Sequence, residues 1–541
     1  MWHENCLASV VKKLRNIGIL LLGLSVGLPT AWSQQGKKRI ELIRADFQEF
    51  SEEIHPDAQR LLGDVVMRHE GVLMYCDSAY LYDKSSSLDA FSNVRIKQGD
   101  TLNLYGDRLE YRADTRLAEV FDNIRLTDRE MILTTDYLIH NLETDISTYL
   151  DGGKIVSTEN DNVLTSMRGD YYSDSKLFYF QDSVVLENER YTIRTDSLRF
   201  DINTEIAYFI GPTEIDSEDS FIYCENGWSD TRKNISQFNK NAYIISDSQR
   251  MAGDSLYYDQ NMGMGEAFQN VQITDTVNNY VINGHYAIRY DSTGQSLVTD
   301  RAMLTLIEGE DSLFLHGDTL FSIEDSAGNP LVHAYHGVRF FRNDLQGKCD
   351  SLTYLRADSI IRMYYEPIIW SEENQISGEL ITLFLKEGGL DKMYVEKDSF
   401  ITSKADSLAT QFNQIKGNNL TGYFREGELK KVDVQGNGET IYYAKEEVKD
   451  APDKDIGMNK LICSDIIIHL DSSEVQKIVF IDMPSGTLFP INQIPGGEQT
   501  LKGFRWDPEF RPAKQEDIFA EIQLAEPEES ETDPEIPNQE E

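Results

Sequence analysis

A unit of about thirty residues recurs a dozen times along this chain of 541 residues, and it restricts the possible folds more than any other feature. One half of the unit reads apolar-x-apolar-x-small-Asp-x-apolar-x-apolar. It occurs as VLMYCDSAYLY from Val72, LNLYGDRLEY from Leu102, MILTTDYLIH from Met131 and YTIRTDSLRF from Tyr191. The other half is a short apolar alternation with an Asn, Asp or Gly lead-in: GDVVMRH from Gly63, SNVRIKQ from Ser92, DNIRLTD from Asp122, DSVVLEN from Asp182 and QNVQITD from Gln269. A constant period of this length means supersecondary units stacked in an array, each burying its apolar face against its neighbours.

Within each unit the apolar residues alternate with period two and are broken by Asn, Asp and Gly, the pattern of strands and turns. No stretch keeps a helical period beyond two turns. The alternation slips by one residue in each copy. Leu102, Leu104 and Gly106 share a face, which Leu109 and Tyr111 then continue; Tyr191, Ile193 and Thr195 hand over in the same way to Leu198 and Phe200. A repeated slip marks a bulge or corner that bends the strand while its apolar face stays inward. The expected fold is all-β: an elongated, repeat-built array in which antiparallel strands stack into a folded sheet around an apolar groove. Leu102, Leu104, Leu109, Tyr111, Ile193, Leu198, Phe200 and Leu256 are the candidate groove residues. One strand layer per copy, at about 4.8 Å each, gives a body of at least roughly 60 Å, and two layers per copy would double it.

Five segments are expected. Residues 1–33 read as an export signal: Lys12, Lys13 and Arg15 precede the apolar run from Ile17 to Leu28, and Ala31-Trp32-Ser33 resembles a cleavage site. The alternative is an uncleaved anchor, although the run is shorter than the roughly 20 residues that span a bilayer. Residues 34–300 carry the regular array and 301–471 a looser continuation. Residues 472–514, rich in Pro, Gly and aromatics, form a cap folding over the end of the array, and 515–541 form an acidic, disordered tail. The net charge is −41; the first 33 residues carry three basic and one acidic residue, so their removal leaves −43. Such a chain repels nucleic acid and anionic bilayers. The mature chain is expected to be exported, with that signal cleaved.

The residues that could carry chemistry have simpler structural readings. Cys76, Cys224 and Cys349 occupy the bend position that Gly106 and Gly169 fill elsewhere, with Cys463 one position before it. Their separations, at one layer per copy, exceed the Cα limit of about 7 Å for a disulfide, so free buried thiols are expected and a metal site is not. The recurring Asp (Asp77, Asp107, Asp136, Asp170, Asp196, Asp254, Asp318, Asp350) could form a calcium ladder, but one Asp per copy is sparse for that, and capping of the bend through the backbone is expected. His333 and His336 point to opposite faces of a strand. Ser173-Asp174-Ser175-Lys176 matches a nucleophile motif that is easily met by chance. No cofactor, metal or catalytic centre is expected, and the chain is not expected to be an enzyme.

The text from Leu62-Gly63-Asp64-Val65-Val66-Met67 through Cys76-Asp77-Ser78-Ala79-Tyr80-Leu81-Tyr82 resembles the OstA-like family of periplasmic lipopolysaccharide-transport proteins (the LptA and LptD amino-terminal domain family). The family pattern is a Gly-Asn/Asp-Val strand followed by an apolar-x-(Ala/Gly)-Asp-x-apolar strand, and similar text recurs over roughly residues 39 to 450. Cys76 departs from the family's Ala or Gly but keeps the residue small. The array is longer than a typical bridge protein, and no barrel strands follow it. The resemblance implies a jellyroll groove that shelters the acyl chains of lipopolysaccharide or a related envelope glycolipid on its way to the outer membrane. It also implies edge-strand pairing with other jellyroll domains of the transport machinery. The alternative is a structural or adhesive exported β-repeat protein without lipid cargo.

Overall fold

A computed structural model describes residues 39–520, except 52–55, 70, 99–101, 128–130, 159–161, 188, 190, 219, 231, 247–248, 278, 309–310, 325–329, 356, 387–388, 406–409, 426–427, 447–453 and 472–473. The expected signal, residues 1–33, and most of the expected tail lie outside the described residues. The chain divides into two compact units: unit 1 reaches Asp300 and includes Phe321–Glu324, and unit 2 holds Arg301–Leu320 and the residues from Asp325 onward. Among the described residues the structure is antiparallel β throughout, with helical turns limited to short 3₁₀ segments near the carboxyl end. No helix among them is long and apolar enough to cross a membrane.

In unit 1 the strands follow one another as a meander. Gln59–His69 pairs with Val72–Tyr82, that strand with Ser87–Gln98, and so on in sequence order to Tyr280–Tyr290. Each thirty-residue copy therefore contributes two strands, so the array grows by two layers per copy.

Every long strand is bent at its middle, and the pairing shows how. Phe91 faces Arg108 and Val94 faces Gly106, which leaves Ser92 and Asn93 opposite the single residue Asp107. The same two-against-one arrangement places Gly63 and Asp64 opposite Asp77, Asp122 and Asn123 opposite Asp136, and Lys240 and Asn241 opposite Asp254. The paired residues are both left-handed: Ser92 and Asn93 have φ of 61° and 50°, Asp122 and Asn123 of 59° and 51°, Gln269 and Asn270 of 56° and 49°. That conformation excludes β-branched residues and is tolerated best by Asn, Asp and Gly, which is why the lead-in positions carry them. The sharp corner thus lies in the Asn-bearing strand, where the sequence reading had placed the start of a strand. The bulge is in that strand, and the Asp-bearing strand rounds the same corner with one residue opposite the pair. The two halves of each bent strand belong to two facing sheets, and the inward residues of both halves form the core.

The corner Asp residues take a different partner from the backbone groups expected. Asn93 Nδ2 donates to Asp77 Oδ2 at 2.7 Å, Asn123 to Asp107 at 2.7 Å and Asn270 to Asp254 at 3.0 Å. Asn241 donates to Glu225 at 2.8 Å, so the corner needs a carboxylate and not aspartate in particular. At these four corners a side-chain bond ties the Asn-bearing strand to the carboxylate of the strand before it. Asp170 stands outside this pattern: it is buried and receives the Thr148 hydroxyl at 2.6 Å and Arg168 Nε at 3.0 Å. In that copy the corner falls at Met167, three residues earlier.

Unit 2 repeats the bent-strand plan with longer strands, such as Gly389–Lys404 against Phe412–Arg425. Its left-handed corners include Lys397–Asp398 and Asp482–Met483. The segment expected to cap the end of the array takes another path. After Ser485–Pro490 pairs with Lys454–Asp471, the chain turns back and runs over one sheet. Gln346, Trp370, Gln375, Thr402, Gln414 and Ile441 form one cross-strand row beneath it. Gln414 donates to Gln499 O and accepts from Leu501 N; Gln375 donates to Arg505 O and accepts from Asp507 N; Arg511 Nε donates to Gln346 Oε1 at 2.8 Å. Leu501 is buried with Phe400, Ile441, Tyr443 and Met458. Gln515–Phe519, expected to open the tail, forms a 3₁₀ turn with Ile518 buried.

Candidate functional site

The residues proposed from the sequence as a groove face the interior between the two sheets of unit 1. Leu109, Ile193, Leu198, Phe200 and Leu256 are at most 3 % exposed, and Tyr111 is 9 % exposed. Leu104 is half-buried, and the side chain of Leu102 lies outside the described residues. They do not converge on one point. Leu104, Leu109 and Tyr111 share Leu102–Arg112, whereas Ile193, Leu198 and Phe200 share Tyr191–Asp201, six strand layers further along. At about 4.8 Å per layer that is roughly 29 Å. They are points on one extended interior.

Other residues of the same parity complete it. Phe178 and Phe180 stack at 5.6 Å between ring centroids, next to Tyr171 at 4.5 Å from Phe178. Phe180 faces Leu198, and Phe178 faces Phe200, across the strand pair. Phe209 and Phe238 stack at 6.4 Å, and Met67 and Met131 are also fully buried. The sequence pattern held all of them at alternating positions in their own strands. Only the pairing register shows that they meet.

The interior is filled, and near the first copies its mouth is closed. His69 ends one strand on the rim of one sheet, and Tyr111 lies at the rim of the other. Their rings are 5.5 Å apart. In unit 2 the interior keeps a small apolar cavity of about 40 Å³, lined by Leu304, Leu315, Phe340, Leu352 and Leu383 among others. That volume suits a water or two, and its walls are mostly aliphatic.

The small position beside each corner bulge is set by contact. A Cβ on Gly106 would lie 2.6 Å from Val120 Cγ1. Cys76, Cys224, Cys349 and Cys463 are free and buried. Gly438 faces Cys463 in the way Val65 faces Cys76, so Cys463 occupies this position itself and not the one before it. Burial pushes the thiols of Cys76, Cys224 and Cys349 up to about 12, which removes the reactive thiolate at neutral pH. No group of His, Cys, Asp and Glu among the described residues could hold a metal ion. Ser147 and Asp145 lie 3.0 Å and 3.7 Å from the two ring nitrogens of His140, but Ser147 is buried and its strand is hydrogen-bonded on both sides.

A bent-strand meander with an apolar interior and carboxylate corners is now defined, and its first copies can be set against known proteins. Residues 37–196 match the family model described as OstA-like protein. The match is to this stretch of unit 1, a segment similar to that family. It contains the strand text on which the resemblance rested. Among solved structures, LptH of Pseudomonas aeruginosa, described as the LptA-homologous periplasmic component of the conserved lipopolysaccharide transport device, is similar at 14% identity. The likeness covers 20% of this chain and 83% of that one, with a TM-score of 0.19. No curated protein matches the chain. Leu104, Leu109 and Tyr111 lie inside the OstA-like segment, as does Ile193; Leu198, Phe200 and Leu256 lie beyond it.

Proposed function

We propose that this protein is a periplasmic lipid-binding bridge that carries lipopolysaccharide, or a related envelope glycolipid, towards the outer membrane. The observation that carries this reading is the inward apolar face of unit 1, which begins in the OstA-like segment and recurs through Leu256. Acyl chains entering it would gain about 0.8 kcal/mol per buried CH₂. The filled interior sets a condition: the rims must part, and the His69–Tyr111 contact must open, before a chain can enter. Cargo transfer therefore needs a widened state of the folded sheet, with the corners as its hinges.

Partner pairing is part of the same reading. Glu41–Arg44 and Phe47–Phe50 pair with Gln59–His69 on one side, and among the described residues nothing pairs on their other side. Phe47 and Phe50 are exposed. This edge suits strand addition by another jellyroll domain. A proline at Gln48 should abolish such pairing.

Photo-crosslinkers at Leu104, Ile193 and Phe200 test the cargo. Adducts with lipopolysaccharide acyl chains are expected. Absence of adducts at all three positions would favour a structural or adhesive β-repeat protein, with the interior as a permanent core.

A further inference from the structure

Unit 1 carries a basic row on the outside of one sheet, in a chain with 92 acidic and 51 basic residues. Tyr75, Arg95, Tyr105, Arg125, Thr134, Lys154 and Thr165 stand side by side in one continuous register across seven strands. Arg95 lies between two rings, 5.8 Å from the Tyr75 centroid and 5.6 Å from that of Tyr105. The cations recur every second layer, at about 10 Å. Lys97 and Arg68 flank them on the same face, Arg68 paired there with Glu41 at 3.8 Å, and the corner carboxylates Asp77, Asp107 and Asp136 border the row. Arg125 and Lys154 are exposed and have no ion-pair partner among the described residues.

The row is also indented at its centre. From residue 59 to 290 only two bent strands are broken: one into Ile146–Tyr149 and Gly153–Ser157, the next into Val163–Ser166 and Arg168–Tyr172. Beside this break lies an open depression of about 690 Å³, whose lining includes Arg125, Lys154, Thr134, Thr165 and Asn123. Asp136 is in the same wall, so the site has an acidic side towards the corner and a basic side towards the row. An irregularity in an otherwise regular array, placed where unpaired cations meet hydroxyls, has the features of a binding site.

We infer that this depression and row bind an acidic saccharide chain, with Arg125 and Lys154 holding its carboxylate or phosphate groups and Tyr105 stacking on a sugar ring. The volume suits a few sugar units. Hydroxyl and ring partners fit a hydrated glycan. A bilayer is flat and would be repelled by the chain's net charge. A folded protein partner would need a larger apolar anchor than Tyr105 and Met167, the exposed apolar side chains of this face, provide. The inference is separate from the reading of the interior: acyl-chain adducts inside and glycan binding outside can fail independently.

The test is calorimetric titration of the full chain with an oligogalacturonate, with neutral maltohexaose, inorganic phosphate and phosphatidylglycerol vesicles as comparisons. Oligogalacturonate should bind, more weakly as salt rises, and the neutral oligomer should not. The pair Arg125→Gln and Lys154→Gln should weaken binding at least about tenfold. Lys154→Arg should retain it, and Lys233→Gln, on a different face, should leave it unchanged. Because both site residues are exposed, unchanged circular dichroism should accompany the loss. The inference is overturned if oligogalacturonate does not bind, if the double variant binds as wild type, or if only phosphate or vesicles bind.

Discussion

Gly106→Ala is the sharpest test of the corner geometry. The added Cβ would sit 2.6 Å from Val120 Cγ1, and the next contacts, the Phe121 and Asp122 carbonyls, are at 3.5 and 3.7 Å. Relief must therefore come from Val120, which is 3 % exposed and packed in Leu117–Thr127. Valine has one strongly preferred rotamer, so it must leave that well or push its strand outward. Overpacking of this kind costs about 1–3 kcal/mol. Replacing glycine returns about 0.4–1 kcal/mol through the unfolded chain. The net expectation is a loss of about 1–2 kcal/mol. Urea unfolding followed by circular dichroism, with hydrogen exchange of residues 87–127 as a local readout, measures it. Val120→Ala is itself destabilising, because it deletes buried methyls, but in that background Gly106→Ala should cost little, giving a coupling energy that two unrelated sites would not show. If Gly106→Ala is as stable as wild type, or costs as much in the Val120→Ala background as in the wild-type chain, the small position is not set by cross-strand contact and the account of the corner is wrong.

Other consequences can be measured directly. The thiols of Cys76, Cys224 and Cys349 should resist iodoacetamide in the native chain at pH 8 and react in urea; labelling of the folded protein would contradict their burial. Because folding raises these thiols from 9.0 to about 12, the unfolded chain loses their protons first. Stability should therefore fall as pH rises from about 9 towards 12, and a urea midpoint that stays level over that window would refute the linkage. Asn93→Asp places a second carboxylate against Asp77 in place of the 2.7 Å bond, so it should destabilise more at pH 7 than at pH 3, whereas Asn93→Gly should be mild at both. Gln375→Ala removes a bond to Arg505 O, one from Asp507 N and one from Trp370 Nε1. Hydrogen exchange and proteolysis should then increase around residues 499–511, and unchanged protection there would show that the row beneath does not hold the segment.

The repeat, the all-β class and the existence of a bend could be read from the sequence, because period-two alternation and its recurring slip are direct records of which side of a strand faces inward. The inward direction of Leu109, Ile193, Leu198, Phe200 and Leu256 was legible for the same reason. The bend was assigned to the Asp-bearing strand because the slip shows there; the Ser92-Asn93 and Asp122-Asn123 pairs looked like lead-ins since two left-handed residues restore the parity that one would break. The carboxylate–asparagine bonds join residues sixteen apart in different strands, a relation that no single strand displays. The path of residues 491–520 left no trace in composition: Gln346, Gln375 and Gln414 read the backbone of that segment or its Arg511, and glutamine at an outward strand position is otherwise unremarked. Closure of the interior was equally hidden, since it depends on His69 and Tyr111 meeting across the mouth.

In unit 1 each bent strand pairs through its backbone only with its predecessor and successor in the chain, so no hydrogen-bonded step in assembly has to wait for a distant partner. Contacts this local favour rapid folding that can start wherever two neighbouring strands emerge together and spread in either direction. They also make reach an adjustable quantity. Inserting one copy adds two strands and about 10 Å while restoring both the direction of travel and the identity of the two exposed ends, so evolution can lengthen such a span without redesigning its termini.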